Sequence, residues 1–259
     1  MISKLASVSP KAKIGNNVII EPFATVYENT EIGDNTWIGP NAVIMSHTKI
    51  GKGCKIFPGA VLGAVPQDLK FSGEESIVEI GDNTIIRECV TINRGTLDRM
   101  TTKVGNNCLI MSYVHIAHDC IVGNNVILAG YTGLSGHITI EDFSILEGMC
   151  KAQQFISIGK HTFIAGDSQI RKSVPPYVRC AREPLQYIGV NTVGLSRRGY
   201  TPEQIKAIED IYRIIFVKGY ALNKAIEIVN SEISDSVFKQ EILDFIQGQK
   251  DGIIRGISS

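Results

Sequence analysis

The chain has 259 residues, and its 26 Lys and Arg are matched by 26 Asp and Glu. Such a balance supplies no net field to hold nucleic acid or an anionic membrane. The 44% of hydrophobic residues is enough for a sizeable core in one or two domains. No apolar run of about 18 residues occurs, and the opening Met1-Ile2-Ser3-Lys4-Leu5-Ala6 lacks a secretory apolar segment. The chain is expected to be soluble and cytoplasmic, with no membrane span and no nucleic-acid partner.

From Ile2 onward an aliphatic residue returns every six positions: Val8, Ile14, Ile20, Val26, Ile32, and so on to Ile164 and Ile170. Only Asp68, Glu74, Asp98 and Ala152 depart from Ile, Leu or Val along that phase. A second stripe, four residues later, holds small or β-branched residues such as Ala24, Thr36, Ala60 and Val114. Neither a helix nor a simple strand keeps a six-residue phase this long. A triangular solenoid does, with one short strand and one corner per hexapeptide. Corner tetrads such as Ile14-Gly15-Asn16-Asn17 and Val122-Gly123-Asn124-Asn125 carry residues that tolerate the backbone angles a corner requires. Three hexapeptides close one coil, and stacked coils pair as parallel strands roughly 4.8 Å apart. The six cysteines, Cys54, Cys89, Cys108, Cys120, Cys150 and Cys180, form no Cys-x-x-Cys pair. Cys54, Cys108, Cys120 and Cys150 lie on the small-residue stripe, which reads them as free core filler.

The stripe breaks twice, near 64–78 and 95–103, and both breaks preserve its phase. Each is expected to loop out of a corner while the coils continue, and long loops on a rigid scaffold often carry function. The repeat ends at Val174-Pro175-Pro176-Tyr177, where paired prolines suit an exit. Thr201-Pro202-Glu203-Gln204 then has the residues of a capped helix start, followed by an apolar face of Ile205, Ile208, Ile211 and Ile215. Further helices are expected over 222–233 and 236–247. The division expected is a β-helix over 1–190 and a helical domain over 191–259, the latter placed to cover the open strand edge.

Coil arithmetic assembles a polar patch. Residues eighteen apart stack where no loop intervenes, so His118 lies under Gly136, Gly136 under Gln154, and Asp119 under His137. The segment His115-Ile116-Ala117-His118-Asp119-Cys120 crowds polar groups onto a solenoid strand. A histidine base beside a backbone N–H suits acyl transfer, since the base takes the proton of an attacking hydroxyl and the N–H meets the oxyanion. No serine or cysteine nucleophile is evident, which favours direct attack by the acceptor. A single histidine here is more often structural than catalytic; the stacked group is what favours function. A metal site using His115 and His118 with a neighbouring subunit's histidine stays open on residues alone.

Taken together, Gln67-Asp68-Leu69-Lys70, Thr91-Ile92-Asn93-Arg94-Gly95-Thr96, the 115–120 segment, Gly136-His137, Gln154-Phe155, Gly189-Val190-Asn191 and Gly194-Leu195-Ser196-Arg197-Arg198-Gly199 resemble the UDP-N-acetylglucosamine 3-O-acyltransferases over nearly the whole chain. The resemblance implies a left-handed parallel β-helix of hexapeptide repeats with a small C-terminal helical domain. It implies that a 3-hydroxyacyl chain moves from acyl carrier protein to the sugar 3-hydroxyl of UDP-N-acetylglucosamine, without cofactor or metal, in a homotrimer with sites between subunits. In that family pattern His118 is the general base and Gly136 the oxyanion donor. Asp68, Lys70, His115, His137 and Gln154 contact substrate. Asn191, Arg197 and Arg198 hold the nucleotide, and Gly166 leaves the acyl groove open for a long chain. Gln153 and Val193 depart from it, standing where a histidine and an acidic residue are familiar. Arg171, Lys172, Arg179 and Arg182 are candidates for meeting an acidic carrier, or simply a solvated face.

Three rivals remain at this stage. The related N-acyltransferase normally has a uridine-binding domain before its solenoid, whereas the repeat here starts at Ile2. A carbonic anhydrase on the same scaffold needs three histidines converging on zinc. A purely structural solenoid explains the repeats but not the stacked His118, Gly136 and Gln154.

Overall fold

The structure is a computed structural model that describes residues 1–256; the last three residues of the expected helical domain lie outside them. Three sheets form the faces of a triangular prism, with nine, eight and ten strands, parallel throughout except for the last strand of the third. The first runs from Ser7–Val8 to Gln169–Ile170, the second from Lys13–Ile14 to Ser157–Ile158, and the third from Ile19–Ile20 to Gln186–Val190. Strands are mostly two residues long because the sixfold phase leaves four residues for each corner. The fold is a left-handed parallel β-helix with helices gathered at the C-terminal end.

The aliphatic stripe is the core. Ile38, Ile44, Ile56, Leu62, Ile92 and Ile116 are fully buried, each worth about 1.5–3 kcal/mol of apolar burial. The cysteines of the small-residue stripe are buried and free. Corners turn through a left-handed residue at every sixth position, including Asn17, Asn35, Asn125 and, at the polar patch, Asp119 (φ 58°) and His137 (φ 54°). Asn and Asp tolerate that region, which accounts for their recurrence. Glycine at Gly105 answers a different demand: a Cβ there would stand 2.4 Å from the Gly123 carbonyl oxygen of the next coil.

Both interruptions leave the corner between the first and second sheets, here the first corner. One loop, 65–76, joins Val61–Ala64 to Ile77–Ile80; the other, 94–100, joins Thr91–Asn93 to Thr101–Val104. Pairing resumes in phase on either side, with Leu62 against Ile92 and Ile92 against Ile116.

At the proline pair the chain does not leave the solenoid at once. Val174 bridges Ile158, and Val178–Ala181 then pairs in parallel with Phe163–Ile164 on the third sheet. Gln186–Val190 returns antiparallel to it and covers that strand edge. Beyond lie α1 (Thr192–Arg197), α2 (Pro202–Tyr212), α3 (Leu222–Glu232) and α4 (Val237–Gln247). Helix α1 has no counterpart in the sequence reading. Helix α2 carries the expected capping box between Thr201 and Gln204. Its apolar face does not continue as an α-helix: residues Arg213–Val217 widen into a π-turn, while Ile214 and Ile215 stay buried.

Candidate active site

Four groups meet at the first corner on successive coils. His118 is 5% exposed, and its Nδ1 lies 2.8 Å from Asp119 Oδ2. A carboxylate only accepts, so Nδ1 carries the proton and Nε2 presents a lone pair. That ring edge faces Gly136: a Cβ on Gly136 would sit 3.0 Å from both Nε2 and Cε1 of His118. Gly136 holds φ +104°, a conformation open to glycine. Its N–H bonds no backbone carbonyl among the described residues and has only the buried Cys120 sulfur, a weak acceptor, on its side, whereas the next N–H, of His137, bonds the His118 carbonyl at 3.1 Å. The His118 proton acceptor and the Gly136 backbone, whose N–H is taken by no carbonyl of the described residues, thus meet at one edge.

Asp119 is fully buried and grips the second loop. It accepts from the Thr96 N–H at 3.0 Å, the Thr96 hydroxyl at 2.6 Å and the Arg99 N–H at 3.1 Å, besides His118. Arg99 Nη1 also reaches the Asp119 carbonyl at 2.8 Å. Burial alone would raise this carboxyl, but the hydrogen bonds from Thr96, His118 and Arg99 outweigh it and hold it below the ordinary carboxylate range. Asp119 therefore stays ionised to fix the His118 tautomer. The sequence reading placed Asp119 in the patch without this role, and missed Thr96, Asp98 and Arg99. Only the His118-Asp119 dipeptide at a corner signalled it; the loop partners follow from how 94–100 folds back.

Asp68, from the first loop, approaches His118 Nε2 at 3.8 Å through Oδ2, and its Oδ1 accepts the Lys70 N–H at 2.9 Å. The Lys70 side chain is exposed. The His137 ring meets the His118 ring edge-on at 5.0 Å and stacks on Phe155 at 4.5 Å. Gln154 is exposed one coil beyond Gly136. His115 lies on the first-sheet face, its Nδ1 2.7 Å from the Thr91 hydroxyl; burial, then His118, pushes its imidazole below the usual range. The nearest cysteine, Cys120, is fully buried, and burial pushes its thiol up to about 11. It offers no thiolate nucleophile.

Ligand atoms of His118, Asp119 and His137 lie within 4.8 Å of one another. Asp119 already accepts from Thr96, Arg99 and His118, so a cation there would have to displace those donors. Within one chain, among the described residues, the groups that converge here are two imidazoles and one carboxylate.

The remaining candidates sit elsewhere. Gly166 is at the third corner, between the third and first sheets; its N–H bonds Glu147 Oε2 at 3.1 Å. Asn191 caps α1, accepting the Gly194 N–H at 3.2 Å and donating to the His161 carbonyl at 2.8 Å. Arg198 bonds the Gly194 and Phe143 carbonyls, both at 3.2 Å, and lies over the Phe143 ring. Arg197 is exposed. These three lie at the second corner, between the second and third sheets. Of the basic surface group, Arg171 pairs with Glu183 at 2.6 Å and Lys172 reaches the Asp251 carbonyl at 2.7 Å. Gln153 and Val193, the two departures, are both exposed.

Comparison with known proteins resolves the lineage. Residues 29–64 and 101–136 match the bacterial transferase hexapeptide family, and 174–257 match the second domain of UDP-N-acetylglucosamine O-acyltransferase. An acyl-[acyl-carrier-protein]–UDP-N-acetylglucosamine O-acyltransferase of Aliivibrio fischeri is 48% identical, spanning 98% of this chain and 100% of that one. The chain belongs to the UDP-N-acetylglucosamine O-acyltransferase family. Among solved family structures, the Bacteroides fragilis acyltransferase is 47% identical, covers 98% of this chain and 100% of its own, and superposes with a TM-score of 0.96. The Francisella novicida acyltransferase is 41% identical, covers 98% and 94%, and has a TM-score of 0.95.

Proposed function

We propose that this protein transfers a 3-hydroxyacyl chain from acyl carrier protein to the 3-hydroxyl of UDP-N-acetylglucosamine, the first step of lipid A biosynthesis. The observation that carries the mechanism is the His118–Asp119 hydrogen bond, which leaves Nε2 free beside the Gly136 N–H. Nε2 takes the acceptor hydroxyl proton as the oxygen attacks the acyl carbonyl carbon. The tetrahedral oxyanion meets the Gly136 N–H. Collapse breaks the bond to the carrier, and the imidazolium returns its proton to the leaving group. Asp68, beside Nε2, suits an acceptor hydroxyl, with Lys70 near it in the same loop. His137, Gln154 and His115 line the approach.

Arg197, exposed at the end of the helix that Asn191 caps, offers a cationic fork for the nucleotide diphosphate, and Arg198, held on the Gly194 and Phe143 carbonyls, adds its charge beside it. In one chain the second-sheet face separates them from His118. At that level the face forms a groove with α4 in which Glu141, Asp142, Glu241 and Asp244 outnumber the one cation, Lys160, which Glu241 already pairs, a poor bed for a diphosphate. A neighbouring copy that brings its second corner to this first corner removes the difficulty, which supports a homotrimer with sites between subunits. Gly166 then keeps the acyl groove open for a long chain.

The test is incubation of the purified protein with UDP-N-acetylglucosamine and a series of carrier-linked 3-hydroxyacyl chains, with the product read by mass spectrometry. One acyl group on the sugar O3, with long chains preferred, supports the reading. No acylated sugar with any chain length rejects it.

A further inference from the structure

We infer that Asp98 is a positioning residue for His137, and that the 94–100 loop couples the two histidines of the site. The inference rests on the reading of His137 as a substrate-contacting residue. Asp98 is 64% exposed at its side chain, yet its Oδ2 lies 2.9 Å from His137 Nδ1. That nitrogen is buried and has no hydrogen bond in correct alignment. The carboxylate is thus within reach of the one orphaned nitrogen of the ring, and a small turn of an exposed side chain aligns them. A buried polar atom left without a partner is costly, so this contact has a driving force.

The backbone of Asp98 is not free to wander. Thr96 on one side and Arg99 on the other both bond the Asp119 carboxylate, and the Asp98 N–H points to the Thr96 hydroxyl at 3.5 Å. Asp119 in turn fixes His118 and lies 3.8 Å from His137 Nε2. Carboxylates and imidazoles therefore alternate along one edge: Asp98, His137, Asp119, His118, Asp68. The other faces of His137 are covered by Phe155 and by the His118 ring, so among the described residues Asp98 alone addresses Nδ1. A carboxylate accepts only, so Nδ1 carries a proton towards Asp98, while Nε2 faces the Asp119 carboxylate at 3.8 Å.

The experiment is nitrogen-15 spectroscopy of the histidine side chains in the full-length protein, its Asp98→Ala variant and its Asp98→Asn variant, with acyl-transfer kinetics on the same samples. The native His137 Nδ1 is expected to show the signature of a protonated nitrogen. Asp98→Ala loses that fixed tautomer; Asp98→Asn keeps it, because the amide oxygen still accepts. Asp98→Ala is expected to raise KM for the sugar about 10-fold with a smaller change in kcat, and Asp98→Asn to restore most of the difference. An Asp98→Ala spectrum identical to the native one overturns the proposal whatever the enzyme's substrate is. So does an equal kinetic loss in both variants. Absence of acyl transfer in the native protein sinks the functional reading instead, and leaves the spectroscopic result to stand or fall separately.

Discussion

At the residue scale the site depends on one proton being on the correct side of an imidazole. Asp119 places it on Nδ1 of His118. Asp119→Asn offers an amide donor in that position and favours the opposite tautomer, so kcat is expected to fall about 10²–10⁴-fold while circular dichroism shows the fold retained. An unchanged kcat contradicts the assignment. A second histidine makes a pH prediction. His161 is buried between Phe143 and Tyr177, and burial, then the Arg198 and Lys160 charges, lowers its imidazole from 6.5 to about 4. The unfolded chain therefore binds a proton that the folded chain refuses between those values. Stability is full above pH 6.5 and is lost as pH falls towards 4, by on the order of 3 kcal/mol. His161→Phe keeps an aromatic ring in the stack and is expected to flatten that loss in urea titrations at pH 7, 5.5 and 4. Equal slopes for variant and native protein would show that another group is responsible.

At the element scale the coil and the corner set what substitutions are tolerated. Gly136→Ala places a Cβ against the His118 ring in a left-handed conformation. Strain there costs about 1–3 kcal/mol, and the displaced imidazole should lower kcat far more than thermal stability. Gly105→Ala, away from the site, presses on the backbone of the next coil. It is expected to lower stability by about 1–3 kcal/mol in denaturant titrations while leaving KM unchanged. How much could be read beforehand follows from the same geometry. A sixfold phase is a local property of the chain, so the strands, the core and the stacking of His118 under Gly136 were legible from spacing. The π-turn at Arg213–Val217 and the short α1 were not, because no periodicity distinguishes them from a continuing helix or a loop. The Thr96 and Arg99 contacts to Asp119 were not legible either, since an inserted loop has no register to count along.

At the scale of the whole molecule, one face of the prism separates the proposed catalytic groups from the arginines proposed to hold the nucleotide. His118 and Gly136 occupy the first corner, Arg197 and Arg198 the second, and Gly166 the third. In the proposed homotrimer a corner of one copy meets a different corner of the next, and sedimentation is expected to give three times the chain mass. If complementation holds across subunits, mixing His118→Ala with Arg198→Ala protein after dissociation should restore part of the activity that each lacks alone. No recovery from re-formed trimers would place all these groups within one chain's own site.

The most direct test of the account is the turnover of His118→Ala with UDP-N-acetylglucosamine and a 3-hydroxyacyl carrier substrate. Loss of the base is expected to lower kcat about 10²–10⁴-fold with the fold intact. Turnover near that of the native enzyme would contradict the role given to His118 and the mechanism built on it.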